Sequence, residues 1–219
     1  MPTIKVAHRG DWRQARENTI PALLAALEVR GCHGVEFDVR ASLDGVPVLS
    51  HDETLERVWG RPERVDQLRA DALEAIGLPT LAEVLERLPR SAFLDVELKD
   101  DPGRGAVEAL AAGRGAVLRN AVVSSFRPAT LERVAGLAPA WPRWLNTRDL
   151  EPATVATAAA LGCRGISVLW SAIDDPGLRR ARAADLDLAA WTVRRRPTYR
   201  RLARLGAVAI AVEGAALDG

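Results

Sequence analysis

Residues 30–39 read RGCHGVEFDV. Gly31 follows an amphipathic stretch, where glycine commonly ends a helix in the left-handed conformation. Beyond it an apolar run carries Glu36 and Asp38 two residues apart, and the two-residue period of a strand sends both carboxylates out of one face. Two acids side by side repel unless a cation joins them. A helix-ending glycine before a strand recurs in LGCRGISVLW (161–170) and in RLGAVAIAVEG (204–214), a similarity that the physics of helix-to-strand loops is enough to produce.

Outward from this segment the chain repeats strand, turn, amphipathic helix and glycine. Strands are predicted at 4–8, 34–40, 92–99, 121–126, 143–146, 165–169, 188–193 and 208–212, and helices at 106–112, 128–135, 152–161, 176–184 and 197–205. Helix ends are marked in ENTIPALLAALEVRG, with Asn18 or Thr19 as cap and Pro21 in the first turn, and by the capping-box pair Thr80 and Glu83. Eight alternating units predict one α/β domain over 1–219, a closed parallel (β/α)8 barrel of the TIM type. The run 46–50 follows the turn Asp44-Gly45 and is expected to fold back as a hairpin, inside a short insertion after the second strand at about 41–78.

The chain has 219 residues, with 30 basic against 29 acidic side chains and a net charge of +1. That balance offers no general attraction for nucleic acid or an anionic membrane, so affinity for anions must be local. Two cysteines, Cys32 and Cys163, are far apart in sequence and make no disulfide framework. The first residues lack a signal-peptide pattern and no apolar run approaches the length of a membrane span, so a cytoplasmic protein without stable membrane insertion is expected.

In such a barrel the chemistry belongs at the C-terminal ends of the strands. His8 and Arg9 in AHRG, Glu36 and Asp38 in VEFDV, His51 and Asp52 in SHD, and Glu97 and Lys99 in FLDVELK all fall at or near such ends. Glu36, Asp38 and Glu97 offer hard oxygen ligands for Mg²⁺ or Ca²⁺, whereas three histidines and no metal-spaced cysteines disfavour zinc. Surface ion pairs are the alternative, opposed by the cost of placing these charges in apolar strands. His8 and His51 fit an acid and a base, since imidazole titrates near neutrality, with the two roles open. His33 has no comparable neighbours and reads as structural or solvent-exposed.

HRG, ENT, VEFDV, DG, SHD, PTL, ELK, SF and AWTV follow one another in the order and spacing of the glycerophosphodiester phosphodiesterases, and the chain resembles that family over nearly its whole length. The resemblance implies a barrel enzyme that hydrolyses small glycerophosphodiesters to glycerol 3-phosphate and an alcohol with one divalent cation. It implies Glu36, Asp38 and Glu97 as metal ligands, His8 and His51 as the acid/base pair, and Arg9 and Lys99 as phosphate-holding residues. Glu17 and Asn18 of ENT would orient or contact the site, and Trp191 would pack against the glycerol side. Trp12 and Trp59 fall in expected active-site loops, where they would shape a leaving-group pocket. Departures from the family pattern are Arg16 before ENT, Val58-Trp59 after Arg57, and an ending that places Glu213 in the acidic position with no following proline; the sequence gives Glu213 no defined role. The other readings are a lysophospholipase D type of lipid phosphodiesterase and a non-catalytic phosphodiester-binding barrel. Mg²⁺ against Ca²⁺, the released alcohol and the oligomeric state stay open.

Overall fold

The computed structural model describes residues 2–101 and 103–218. In chain order the strands are β1 (Ile4–His8), β2 (Gly34–Ala41), β3 (Pro47–Leu49), β4 (Phe93–Leu98), β5 (Ala121–Ser125), β6 (Arg143–Thr147), β7 (Gly165–Leu169), β8 (Asp187–Val193) and β9 (Ala209–Val212). All but β3 run parallel, each beside the next, and β1 closes the ring by pairing with both β9 and β2. β3 lies antiparallel on β2, as the hairpin reading expects. The helices are α1 (Ile20–Leu27), α2 (Glu56–Trp59), α3 (Ala70–Ile76), α4 (Leu81–Arg87), α5 (Gly103–Arg114), α6 (Pro128–Leu137), α7 (Pro152–Ala160), α8 (Asp175–Ala183) and α9 (Arg196–Arg204). The architecture is the (β/α)8 TIM barrel. Among the described residues no helix is long and apolar enough to cross a membrane.

Strand alternation divides the protein into two environments. Val35, Phe37 and Val39 of β2 and Leu94, Val96 and Leu98 of β4 join the large core shared with helix residues such as Leu23 and Leu81. A second, smaller cluster, formed by Val6, Val122, Trp144, Ala189 and Ala209, fills the barrel near the strands' N-terminal ends. The residues two positions further along these strands are polar on several of them: His8, Ser124 and Asn146. The barrel therefore has an apolar floor and a polar upper layer, the latter at the end where TIM-barrel enzymes carry their chemistry.

Local signals hold with one exception. Thr80 accepts from the Glu83 backbone N–H while the Glu83 carboxylate accepts from the Thr80 N–H, the reciprocal capping box. Proline occupies the first turn of α1, α6, α7, α8 and α9. The exception is the start of α1: Thr19 holds the cap position without a side-chain cap, and Asn18 turns away from the helix with φ +57°. The insertion contains α2 and α3, neither expected, built on a satellite core of Val48, Leu55, Val65, Leu73 and Leu78. Helices of four and seven residues are too short to show a helical period. Both cysteines are free thiols.

Candidate active site

Register brings the acids together. Glu36 lies beside Asp95 and Asp38 beside Glu97 across the β2–β4 pair, so inward-facing carboxylates stack on neighbouring strands. Oxygens of Glu36, Asp38 and Glu97 all lie within 4.8 Å of one another, no wider than two metal–oxygen bonds of about 2.4 Å end to end. All three residues are buried. Burial, reinforced by Asp38 and Glu97, pushes the Glu36 carboxyl well above its usual range. Burial also lifts Glu97, with Asp38 adding to it, to about 7. Asp38 goes the other way: against its burial, Lys99 and Arg9 hold its carboxyl below the ordinary range.

The donor set fits a hard divalent cation. It is all oxygen, and Glu36 Oε1 is buried without a hydrogen-bond partner while Oε2 accepts from the Arg9 backbone N–H at 3.0 Å. A buried carboxylate oxygen left in that state is costly unless a positive charge meets it. Lys99 meets the other two acids instead: its ammonium donates to Glu97 and sits 2.8 Å from Asp38 Oδ1. Asp95 was not singled out from the sequence, although it precedes Glu97 by two residues and so shares its strand face. Ser124 Oγ donates to its carboxyl at 2.6 Å, and burial raises it to about 7.

Each candidate histidine is tied through Nδ1 to a carboxylate that an arginine also holds. His8 Nδ1 lies 2.5 Å from Glu213 Oε1, and Arg194 Nε donates to Glu213 Oε2 at 2.8 Å. Against burial, His8 and Arg194 bring the Glu213 carboxyl down to about 2, so it accepts, Nδ1 carries the proton, and Nε2 faces Glu36 Oε2 at 3.8 Å. His51 Nδ1 lies 2.6 Å from Asp52 Oδ1, and Arg57 Nε donates to Asp52 Oδ2 at 2.6 Å. Burial lowers the His51 pKa, with Asp38 opposing it. Glu213, which the sequence left without a role, is thus in direct contact with His8.

The remaining expected residues divide into those that line the cavity and those behind it. His8, Arg9, Glu36, His51, Glu97, Lys99 and Trp191 line a cavity of about 260 Å³. Glu17 and Asn18, expected to orient or contact the site, do not line it and instead bond its residues from behind. Glu17 accepts from Arg9 and from Arg57, and Asn18 both donates to Asp38 Oδ2 at 2.8 Å and accepts from the Asp38 N–H at 3.1 Å. This contact, rather than a helix cap, is what Asn18 provides. Arg9 Nε lies 3.0 Å from Asp38 Oδ2. Trp12 and Trp59 lie outside the cavity, contrary to expectation: Trp12 is exposed, and Trp59 packs on the insertion's satellite core beneath the Arg16 guanidinium. His33 is structural, accepting the Lys5 N–H at Nδ1.

The comparisons with known proteins agree with this geometry. The model of the glycerophosphoryl diester phosphodiesterase family matches residues 8–215. A glycerophosphodiester phosphodiesterase of Caldanaerobacter subterraneus is 31% identical over 157 residues, which is 64% of this chain and 64% of that one. The match thus spans just under two thirds of that relative's length. Among solved structures, a glycerophosphodiester phosphodiesterase from Agrobacterium tumefaciens is 28% identical with a TM-score of 0.82, covering 98% of both chains. An Oleispira antarctica phosphodiesterase in complex with the product sn-glycerol-3-phosphate is 27% identical with a TM-score of 0.79, covering 96% of this chain and 93% of that one. With the barrel, the acid cluster and a family match that begins at His8 and runs past Glu213, the chain belongs to the glycerophosphoryl diester phosphodiesterase family.

Proposed function

We propose that the protein hydrolyses small glycerophosphodiesters to glycerol 3-phosphate and an alcohol, with one Mg²⁺ or Ca²⁺ held by Glu36, Asp38 and Glu97. The observation that carries this reading is the cluster of three buried carboxylates, with oxygens within 4.8 Å, facing two histidines whose Nδ1 atoms are anchored by carboxylates. Membership of the family supports it.

A bound cation supplies charge to a phosphate oxygen and to the attacking group. The chain's own residues do the rest. Arg9 and Lys99 line the cavity with positive charge that meets phosphate oxygens and the charge that develops on them in displacement. One histidine takes the proton from the glycerol hydroxyl as that oxygen bonds to phosphorus, and the other gives a proton to the departing alcohol oxygen. Water then opens the cyclic phosphate with the two proton transfers reversed, which restores both histidines. Trp191, fixed by its indole N–H to the Ser167 carbonyl at 3.0 Å, packs against the glycerol carbons.

Phosphorus NMR of chelator-stripped protein given glycerophosphocholine and glycerophosphoethanolamine, with Mg²⁺ or Ca²⁺ restored separately, tests the reaction. Metal-dependent glycerol 3-phosphate is the expected product, and its absence from every combination refutes the reading. His8→Ala and His51→Ala are expected to lower turnover by about 100-fold or more while metal still binds. Wild-type turnover in both variants would remove the acid/base assignment.

A further inference from the structure

Arg9 and Lys99 are already committed to carboxylates: Arg9 to Asp38 and Glu17, Lys99 to Asp38 and Glu97. Arg148, just past the end of β6, is not. It lines the same cavity and is exposed, and among the described residues it makes neither an ion pair nor a side-chain hydrogen bond. Its guanidinium lies instead 6.0 Å from the ring centre of Phe126 and 5.8 Å from that of Trp191. Those two rings meet edge to face at 5.3 Å, and the Trp191 N–H is spent on Ser167. The wall beneath Arg148 therefore presents carbon, while Arg148 holds five unused N–H donors in a planar group that the rings help to orient.

We propose that Arg148 determines specificity on the glycerol side of the substrate by hydrogen-bonding the free primary hydroxyl and barring a 1-acyl chain. The inference rests on the function proposed above, in which Trp191 faces the glycerol carbons. Without Arg148 the Phe126–Trp191 wall is an apolar surface suited to an acyl chain. With it, an acyl chain laid on the wall covers a guanidinium that has no counter-ion, and a charge buried in that way is strongly disfavoured. The cavity, about 260 Å³, is also small beside the roughly 300–1,000 Å³ of pockets for drug-sized ligands.

The test compares glycerophosphocholine with its 1-hexanoyl ester, which releases the same alcohol, in wild type, Arg148→Leu and Arg148→Lys. Wild type is expected to favour the deacylated substrate by about 100-fold or more in kcat/KM. In Arg148→Leu, KM for glycerophosphocholine should rise about tenfold, the equivalent of one hydrogen bond to a charged group, with kcat little changed. The same variant should gain on the hexanoyl ester, so that the preference collapses, and Arg148→Lys should fall between the two. An unchanged preference in Arg148→Leu, or wild type that takes both substrates equally, overturns the role of Arg148 and leaves the phosphodiesterase reading standing. No turnover of glycerophosphocholine by wild type overturns both.

Discussion

Glu213 governs which nitrogen of His8 faces the acid cluster. As a carboxylate 2.5 Å from Nδ1 it keeps the proton there and leaves Nε2 for exchange; an amide can rotate its NH₂ toward Nδ1 and favour the opposite tautomer. Glu213→Gln is accordingly expected to lower kcat at least about tenfold. Its stability has a defined pH dependence as well. The carboxyl titrates at about 2 in the fold against 4.5 for an unperturbed glutamate, so between those values the unfolded chain holds the extra proton and stability rises with pH. The stabilisation is therefore complete above 4.5 and lost as pH falls toward about 2. Urea unfolding should show wild type more stable than Glu213→Gln at pH 7, with the gap closing in acid; equal stability at pH 7 would remove the inferred contact. At this scale Glu36, Asp38 and Glu97 were legible because they sit in strands with a two-residue period. Asp95 was equally legible by that period, lying in the same FLDVELK segment. Asn18 was not, since its residue type at a helix start carries the same sequence signal whether it caps the helix or, as here, turns to bond Asp38.

In two of the helix-to-strand connections, at 31–34 and 162–165, paired glycines answer two separate demands. Gly31 and Gly162 have φ of +82° and +61°, with open space where a Cβ of residue 31 would point and only the Arg143 guanidinium, 3.5 Å away, near one at 162, so they serve the left-handed turn. Three residues later, Gly34 and Gly165 stand at the start of β2 and β7, each beside the first residue of the following strand of the barrel, Phe93 and Asp187. A Cβ on Gly34 would lie 2.1 Å from the Phe93 carbonyl oxygen, and one on Gly165 would lie 2.6 Å from that of Asp187. These glycines let adjacent strands approach. Gly34→Ala should therefore cost about 3 kcal/mol, while Gly31→Ala should cost about 1 kcal/mol through its backbone conformation alone. Urea midpoints for the two variants measure the difference, and equal losses would refute the distinction. The repeating order of elements was readable from glycine, proline and alternation, whereas the close approach behind Gly34 depends on β4, which is remote in sequence. The unexpected α2 and α3 are held by the insertion's own small core, a tertiary cause that no local pattern expresses.

Across the whole molecule the site is a junction of the barrel's closure. His8 comes from β1, Glu36 and Asp38 from β2, Glu97 from β4, and Glu213 from the residue after β9, so strands at the seam where β1 meets both β2 and β9 converge on one charge cluster. Eight units in the sequence implied closure and the family resemblance implied one site for His8, Glu36, Asp38 and Glu97, but the pairing of Glu36 with Asp95 and of Asp38 with Glu97 followed only from register. Burial of mutually repelling acids opposes stability, and a cation that binds the folded barrel alone relieves that repulsion while stabilising the fold by mass action. At a hundredfold excess over its Kd the gain is about 2.7 kcal/mol, which for a chain of this size corresponds to a Tm increase of roughly 5–10 °C. Calorimetry of chelator-treated protein before and after addition of Mg²⁺ or Ca²⁺ measures this shift. Glu36→Gln should separate the two contributions. Removing the most poorly partnered of the three charges should leave the metal-free Tm no lower than that of wild type, and should abolish most of the metal-dependent increase. A Tm indifferent to both cations, or a full increase retained by Glu36→Gln, would show that the acid cluster is not where a cation binds.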